Sequence, residues 1–135
     1  MVELKESALS EIFRHAHAEA PNECCGLLVG EARCIERAVR ARNLEASPTR
    51  YLIDPADHFA AIRDARAAGR TVVGAYHSHP ASAPVPSPVD LSKSTSSSDF
   101  VHVIVSLAAG LPGTTVSAYC LTTNGVEAVE LQIVA

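Results

Sequence analysis

Apolar residues recur at helical spacing from Ser7 to Ala20, where Ala8, Leu9, Ile12, Phe13, Ala16 and Ala20 share a face and Pro21-Asn22 stops the pattern. An amphipathic helix is predicted there. His15 and His17 lie on it two residues apart, about 200° around the axis, so they read as packing or surface histidines rather than as a ligand pair. Cys24 to Ala41 offers two apolar segments separated near Gly30-Glu31-Ala32-Arg33, the form of a hairpin with Glu23 at its start. Arg50-Tyr51-Leu52-Ile53 reads as a short third strand. Asp54-Pro55 supplies an N-cap and a proline at the first helical position. The alanine-rich helix that follows, to Ala68, puts Phe59, Ile62 and Ala65 on one side before Gly69 closes it.

Thr71 to Tyr76 is too apolar and β-branched to alternate, which predicts a central strand covered on both faces. It delivers His77 at its end. Ser87-Pro88-Val89-Asp90 has the form of a helix start, and the helix runs to about Ser96, where polar STSSSD ends it. Strands at Val101–Leu107, Thr115–Leu121 and Val126–Val134 complete the pattern. The class expected is α+β, a mixed β-sheet flanked by helices, in a single domain over residues 1–135.

Composition narrows the function classes. A chain of 135 residues with 47% hydrophobic positions can bury one proper core, and no apolar run approaches the ~18 residues of a membrane span. The opening MVELKESALSEIF lacks the basic and apolar regions of a signal peptide, so a cytoplasmic protein with no membrane partner is expected. A net charge of −4 argues against non-specific nucleic-acid binding, which draws on a basic face. Cys24, Cys25, Cys34 and Cys120 sit in a chain large enough to fold without staples and are expected as reduced thiols.

The candidate chemistry lies in His77-Ser78-His79-Pro80-Ala81-Ser82-Ala83-Pro84-Val85-Pro86-Ser87-Pro88-Val89-Asp90. In an extended strand, residues i and i+2 project to one face, so His77 and His79 present two imidazoles side by side while Ser78 points away. Catalytic zinc typically takes three protein ligands from His and Asp/Glu and keeps a fourth position open. Asp90 is the natural third ligand, because four prolines stiffen a loop able to return the helix start to the strand end. A structural account competes for Ser87 and Asp90, since Ser at N-cap with an acidic residue three positions on resembles a capping box; the two roles can coexist. Neither an HExxH helix nor the H-x-E with PCxxC of nucleobase deaminases is present.

This stretch resembles the metal-binding signature of the JAMM family of metalloproteases, also called JAB/MPN domains: H-x-H, seven residues, Ser, two residues, Asp. The match holds at every position. Glu23-Cys24-Cys25-Gly26-Leu27-Leu28-Val29-Gly30 is similar to the family's upstream glutamate and the strand beside it. The resemblance implies a cytidine-deaminase-like fold and a zinc ion (Zn2+) held by His77, His79 and Asp90. It gives Glu23 the part of general base and then acid, and Ser87 that of steadying the oxyanion. It further implies a zinc peptidase, like the small prokaryotic CysO-cysteine peptidases, that hydrolyses an amide bond at the C-terminal Gly-Gly tail of a ubiquitin-like sulfur-carrier protein. That tail is expected along a sheet edge beside the metal. The competing readings are a non-catalytic MPN scaffold, a thiol peptidase using Cys24 or Cys25, and a DNA-repair-associated relative. A homodimer, and another divalent metal in place of zinc, stay open.

Overall fold

The structure, a computed structural model, describes residues 1–93, 99–110, 115–122 and 125–135. Its elements run β1 (Val2–Lys5), α1 (Glu6–Glu19), β2 (Cys25–Glu31), β3 (Cys34–Ala41), α2 (Pro55–Ala67), β4 (Thr71–His79), α3 (Pro88–Lys93), β5 (Val101–Ser106), β6 (Val116–Thr122), β7 (Gly125–Val129) and β8 (Leu131–Val134). One mixed sheet takes them in the order β7-β6-β5-β4-β2-β3-β1-β8. β1 pairs parallel with β3 and β8, and β4 pairs parallel with β5; the other neighbours are antiparallel.

Two departures from the sequence pattern share one cause. Val126–Val134 is predicted as one strand, but it is two, divided at Glu130 and hydrogen-bonded to opposite edges of the sheet. Consecutive segments can reach both edges only if the sheet rolls around until those edges approach. At the seam the N–H of Val2 donates to the carbonyl of Glu130 at 2.8 Å. The N-terminal strand β1, which the sequence pattern does not single out, exists because β3 and β8 pair with it from either side.

α1 lies inside the roll. Ala8, Ile12 and Ala16 pack against Val2, Leu4, Leu28, Ile35, Tyr76, Val103 and Val105, so the apolar face read from the sequence is the buried one. Its histidine joins in: His15 is buried and its Nδ1 lies 2.7 Å from the Tyr76 hydroxyl on β4, a hydrogen bond that ties helix to central strand. α2 covers the opposite face of the sheet with Ala61 on Leu27 and Ala75, and Ala65 is buried one turn further on. Phe59, expected on its inner side, is 72% exposed; alanines allow a closer approach to the sheet than a phenyl ring does. The helix ends are as expected. The Asp54 side chain accepts from the N–H of Ala56, and Gly69 adopts φ +73 just past the C-cap, where the N–H groups of Gly69 and Arg70 reach back to Arg66 and Ala65.

Arg50–Ile53 does not form the predicted strand. It is a loop with a single bridge, Asn43 to Ile53, and it lies across the site described below. The predicted helix to about Ser96 is seen as α3 to Lys93, and its last turn lies outside the described residues. β4 runs past Tyr76 to His79, so both histidines belong to the strand itself.

Gly74 lies in the middle of β4, where its neighbours come closest. A Cβ there stands 2.1 Å from the carbonyl oxygen of Val101 on β5, a backbone atom that cannot swing aside. Gly74→Ala is expected to cost about 1–3 kcal/mol, the usual range for overpacking, read as a lowered unfolding midpoint in denaturant with an unchanged slope.

Candidate metal centre

β4 aims alternate side chains at the two faces of the sheet. Tyr76 and Ser78 turn toward α1, where the Ser78 hydroxyl accepts from the N–H of Cys24 at 2.8 Å. His77 and His79 turn to the other face. The loop of residues 80–87 must then double back, and the sheet holds it as it does so. Ser106 Oγ donates to the carbonyl of Ser82, Ser117 Oγ donates to that of Pro84, and the buried Pro84 is wedged against the sheet. α3 begins where the loop ends. The Ser87 hydroxyl accepts from the N–H of Asp90 at 3.1 Å, and Asp90 Oδ2 accepts from the N–H of Ser87 at 2.8 Å. This is the reciprocal capping box, and it sets the carboxylate.

The same oxygen reaches the strand. Asp90 Oδ2 lies 3.1 Å from His77 Nε2 and 3.2 Å from His79 Nε2, and the two nitrogens are 3.2 Å apart. A carboxylate oxygen of Glu23 lies within 4.8 Å of these atoms, and all four residues are buried. His77, His79, Asp90, Glu23 and Ser87 are thus gathered at one place from β4, α3, the α3 N-terminus and the link between α1 and β2.

The donor set has the spacing of a metal site. In a regular tetrahedron the edge is about 1.63 times the centre-to-corner distance, so edges of 3.1–3.2 Å put a centre about 1.9–2.0 Å from each atom, close to the ~2.0–2.2 Å of zinc bonds to nitrogen and oxygen. Tautomer agrees. His79 Nδ1 faces the carbonyl of Ala83 at 2.8 Å, and a carbonyl only accepts, so Nδ1 carries the proton and Nε2 turns its lone pair inward. In the metal-free protein, protons shared with the Asp90 oxygen join the two ring nitrogens to it; a cation would take their place. The residues fit a divalent metal.

Electrostatics separate the two carboxyls. Burial pushes Asp90 up, but its bonds to His77 and His79 outweigh burial and hold it well below the usual carboxylate range. Glu23 lacks such partners. Its Oε1 is buried with no hydrogen-bond partner among the described residues, and burial raises its pKa to about 7, with His79 opposing and Asp90 adding to the rise. One carboxyl is fixed as an anion and the other is poised to exchange a proton near neutrality. The thiols show the reverse of activation. Cys24 and Cys25 are buried, which pushes them up to about 11 and about 12, whereas a cysteine nucleophile needs an accessible, depressed thiol.

Sequence reasoning missed Tyr51. Its ring stacks on His77 with centroids 4.4 Å apart and planes 21° from parallel. Read as part of a strand, Tyr51 carried no signal of its own; only the folded loop lays it on a ligand. The sheet edges are β7 and β8, and β4 is paired on both sides, through Leu107 N–H to the His79 carbonyl and Ser78 N–H to the Cys24 carbonyl. The expectation of a substrate tail lying along a sheet edge beside the metal is therefore corrected: the centre sits on an interior strand.

Residues 5–119 match the family model described as prokaryotic homologs of the JAB domain, a span that contains every residue of the centre. The chain is 38% identical over 89 residues to the desampylase of Haloferax volcanii, covering 64% of each protein. With the CysO-cysteine peptidase of Mycobacterium tuberculosis it is 31% identical over 105 residues, 76% of this chain and 71% of the relative. It spans less than two thirds of several curated relatives, down to 34% of tail tip assembly protein K of Escherichia phage N15, to which 87 residues, 64% of this chain, are 37% identical. A protein of Desulfitobacterium hafniense solved in solution superposes with a TM-score of 0.89 at 31% identity over 98% of this chain and 92% of that one. A JAB1/MPN domain protein from Archaeoglobus fulgidus shares the fold, with a TM-score of 0.65 at 21% identity over 100% and 98%.

The raised Glu23 carboxyl has a signed consequence for the metal-free protein. Its folded pKa of about 7 exceeds the ordinary 4.5, so its favourable contribution is full below about pH 4.5 and is lost as pH rises through 7. In chelator-treated samples, wild type is expected to lose stability relative to Glu23→Gln across that window, measured by denaturant titrations at successive pH values.

Proposed function

This chain belongs to the family of prokaryotic JAB-domain homologues, and on that premise we propose that it is a zinc-dependent peptidase hydrolysing the amide bond at the C-terminal Gly-Gly tail of a ubiquitin-like sulfur-carrier protein. The observation that carries the reading is the trio of donor atoms 3.1–3.2 Å apart beside the buried, unpartnered oxygen of Glu23. The names of the relatives support the substrate class: a desampylase, a CysO-cysteine peptidase and a probable protease of TtuB-protein conjugates. Four free thiols support a reducing, cytoplasmic setting.

His77, His79 and Asp90 would hold the ion, which when bound would supply a nucleophile at neutral pH by lowering the pKa of a water from 15.7 toward about 7. Glu23 takes a proton from the attacking water and hands it to the departing amine, the two halves of general base and acid work for which a carboxyl near neutrality is matched. Ser87 completes the site. Its oxygen already accepts from the N–H of Asp90, so its own O–H is left to donate to the oxyanion, a task worth about 2.7–4 kcal/mol per donor in a comparable hole. The loop bearing Tyr51 covers His77 and the loop bearing Ala83 braces His79. A tail without side chains makes the least demand for space at so buried a centre, in keeping with a Gly-Gly substrate, and Val85, 61% exposed on the loop before α3, is open to the body of the carrier.

Incubating the protein with carrier conjugates and weighing the products tests the reading: cleavage is expected to stop on chelation and return with zinc, and activity that survives chelation but dies on alkylation sinks it. Glu23→Gln is expected to keep full metal content while turnover falls by about 100-fold or more. His77→Ala, His79→Ala and Asp90→Ala each lower metal content by elemental analysis. Ser87→Ala keeps the metal and slows kcat about 100- to 1,000-fold.

A further inference from the structure

Glu23 lies where neither helix nor sheet holds it, since α1 ends at Glu19 and β2 begins at Cys25. Its backbone is bound instead by the loop that joins β3 to α2. The N–H of Glu23 donates to the carbonyl of Ser47 at 2.9 Å, and its carbonyl accepts from Asn43 Nδ2 at 3.1 Å. Asn43 is the hub of that loop. Nδ2 also donates to the carbonyl of Arg50 at 3.0 Å, while Oδ1 accepts from the N–H groups of Glu45 and Leu52, each at 3.0 Å. Two donors meet two carbonyls and one oxygen meets two N–H groups, so the partners settle the amide's orientation and use its whole capacity. Aspartate lacks the donors, and glutamine is longer by a methylene.

The residues held at the far end of this clip are the neighbours of Tyr51. Arg50 and Leu52 are both bound to the Asn43 side chain, and the Leu44 N–H donates to the Leu52 carbonyl at 2.9 Å. Tyr51 between them is thereby laid on His77. A single half-buried amide joins the backbone of one site residue to the aromatic cover of another.

We propose that Asn43 is a positioning residue: it fixes Glu23 relative to His77, His79 and Asp90 by tying the glutamate's backbone to the loop that stacks Tyr51 on His77. Its effect on turnover rests on the peptidase reading above; its clamping of the loop rests on the hydrogen bonds alone.

Asn43→Asp, nearly the same shape but without the donors, is the test, with Asn43→Ala beside it and thermal melting to confirm folding. Bound zinc per chain is expected to match wild type and KM to stay within about twofold, while kcat falls about 10- to 100-fold, as for a misplacement of about 1 Å. In the Glu23→Gln background the same substitution is expected to change the residual rate no further, because its action runs through Glu23. Equal kcat in wild type and Asn43→Asp, or an undiminished further loss in the Glu23→Gln background, overturns the proposal. Hydrogen exchange separates this from the peptidase reading. In the wild type the amides of Glu23, Glu45 and Leu52 are expected to open in one step with a common protection factor, and independent exchange of the Glu23 amide overturns the clamp whether or not any conjugate is cleaved. A wild type that cleaves no conjugate overturns the peptidase reading and leaves the exchange result to decide the clamp.

Discussion

One carboxylate oxygen holds the centre together. Asp90 Oδ2 caps α3 through the N–H of Ser87 and meets His77 and His79 in the same 3.2 Å neighbourhood, so the helix start and the strand end are fixed to each other through a single atom. A buried anion is costly unless it is hydrogen-bonded and matched by positive charge. The capping N–H supplies part of that, and a cation among the three donors would supply the rest.

The fold serves this constraint by placing the histidines on the best-supported strand. β4 is flanked by β2 and β5, tied to α1 through Tyr76 and His15, and backed by α2 through Ala75. Rigidity there comes from backbone pairing. The groups that are not on regular elements, Glu23 and Tyr51, receive theirs from side-chain hydrogen bonds and ring stacking. The centre therefore combines a stiff half made of sheet with a half that depends on a loop, the usual pairing of a rigid scaffold with loop-borne residues.

Much of this was legible along the chain. α1, the β2–β3 hairpin, α2 with its caps, and β4 follow from periodicity and from the chemistry of Asp54-Pro55 and Gly69, because each carries its signal in a run of adjacent residues. His77 and His79 follow from the two-residue period of a strand. Asp90 and Ser87 had a local explanation as a cap and a distant one as site residues; the structure shows the cap, and places the capping oxygen of Asp90 beside His77 and His79 as well. β1 and the division of Val126–Val134 were not legible, because pairing partners far away in sequence decide both.

The sequence by itself determined α1, the β2–β3 hairpin, α2 and β4, and that His77 and His79 face together, since turn chemistry, capping and hydrophobic period act over a few residues. Only the tertiary structure decided that Arg50–Ile53 is a loop over His77 rather than a strand, that Phe59 faces outward, and that Glu23 is a buried carboxyl rather than a surface one. Each of those depends on what the rolled sheet brings alongside. Burial and the acidity it imposes come from the whole surrounding shell, and no stretch of sequence contains it.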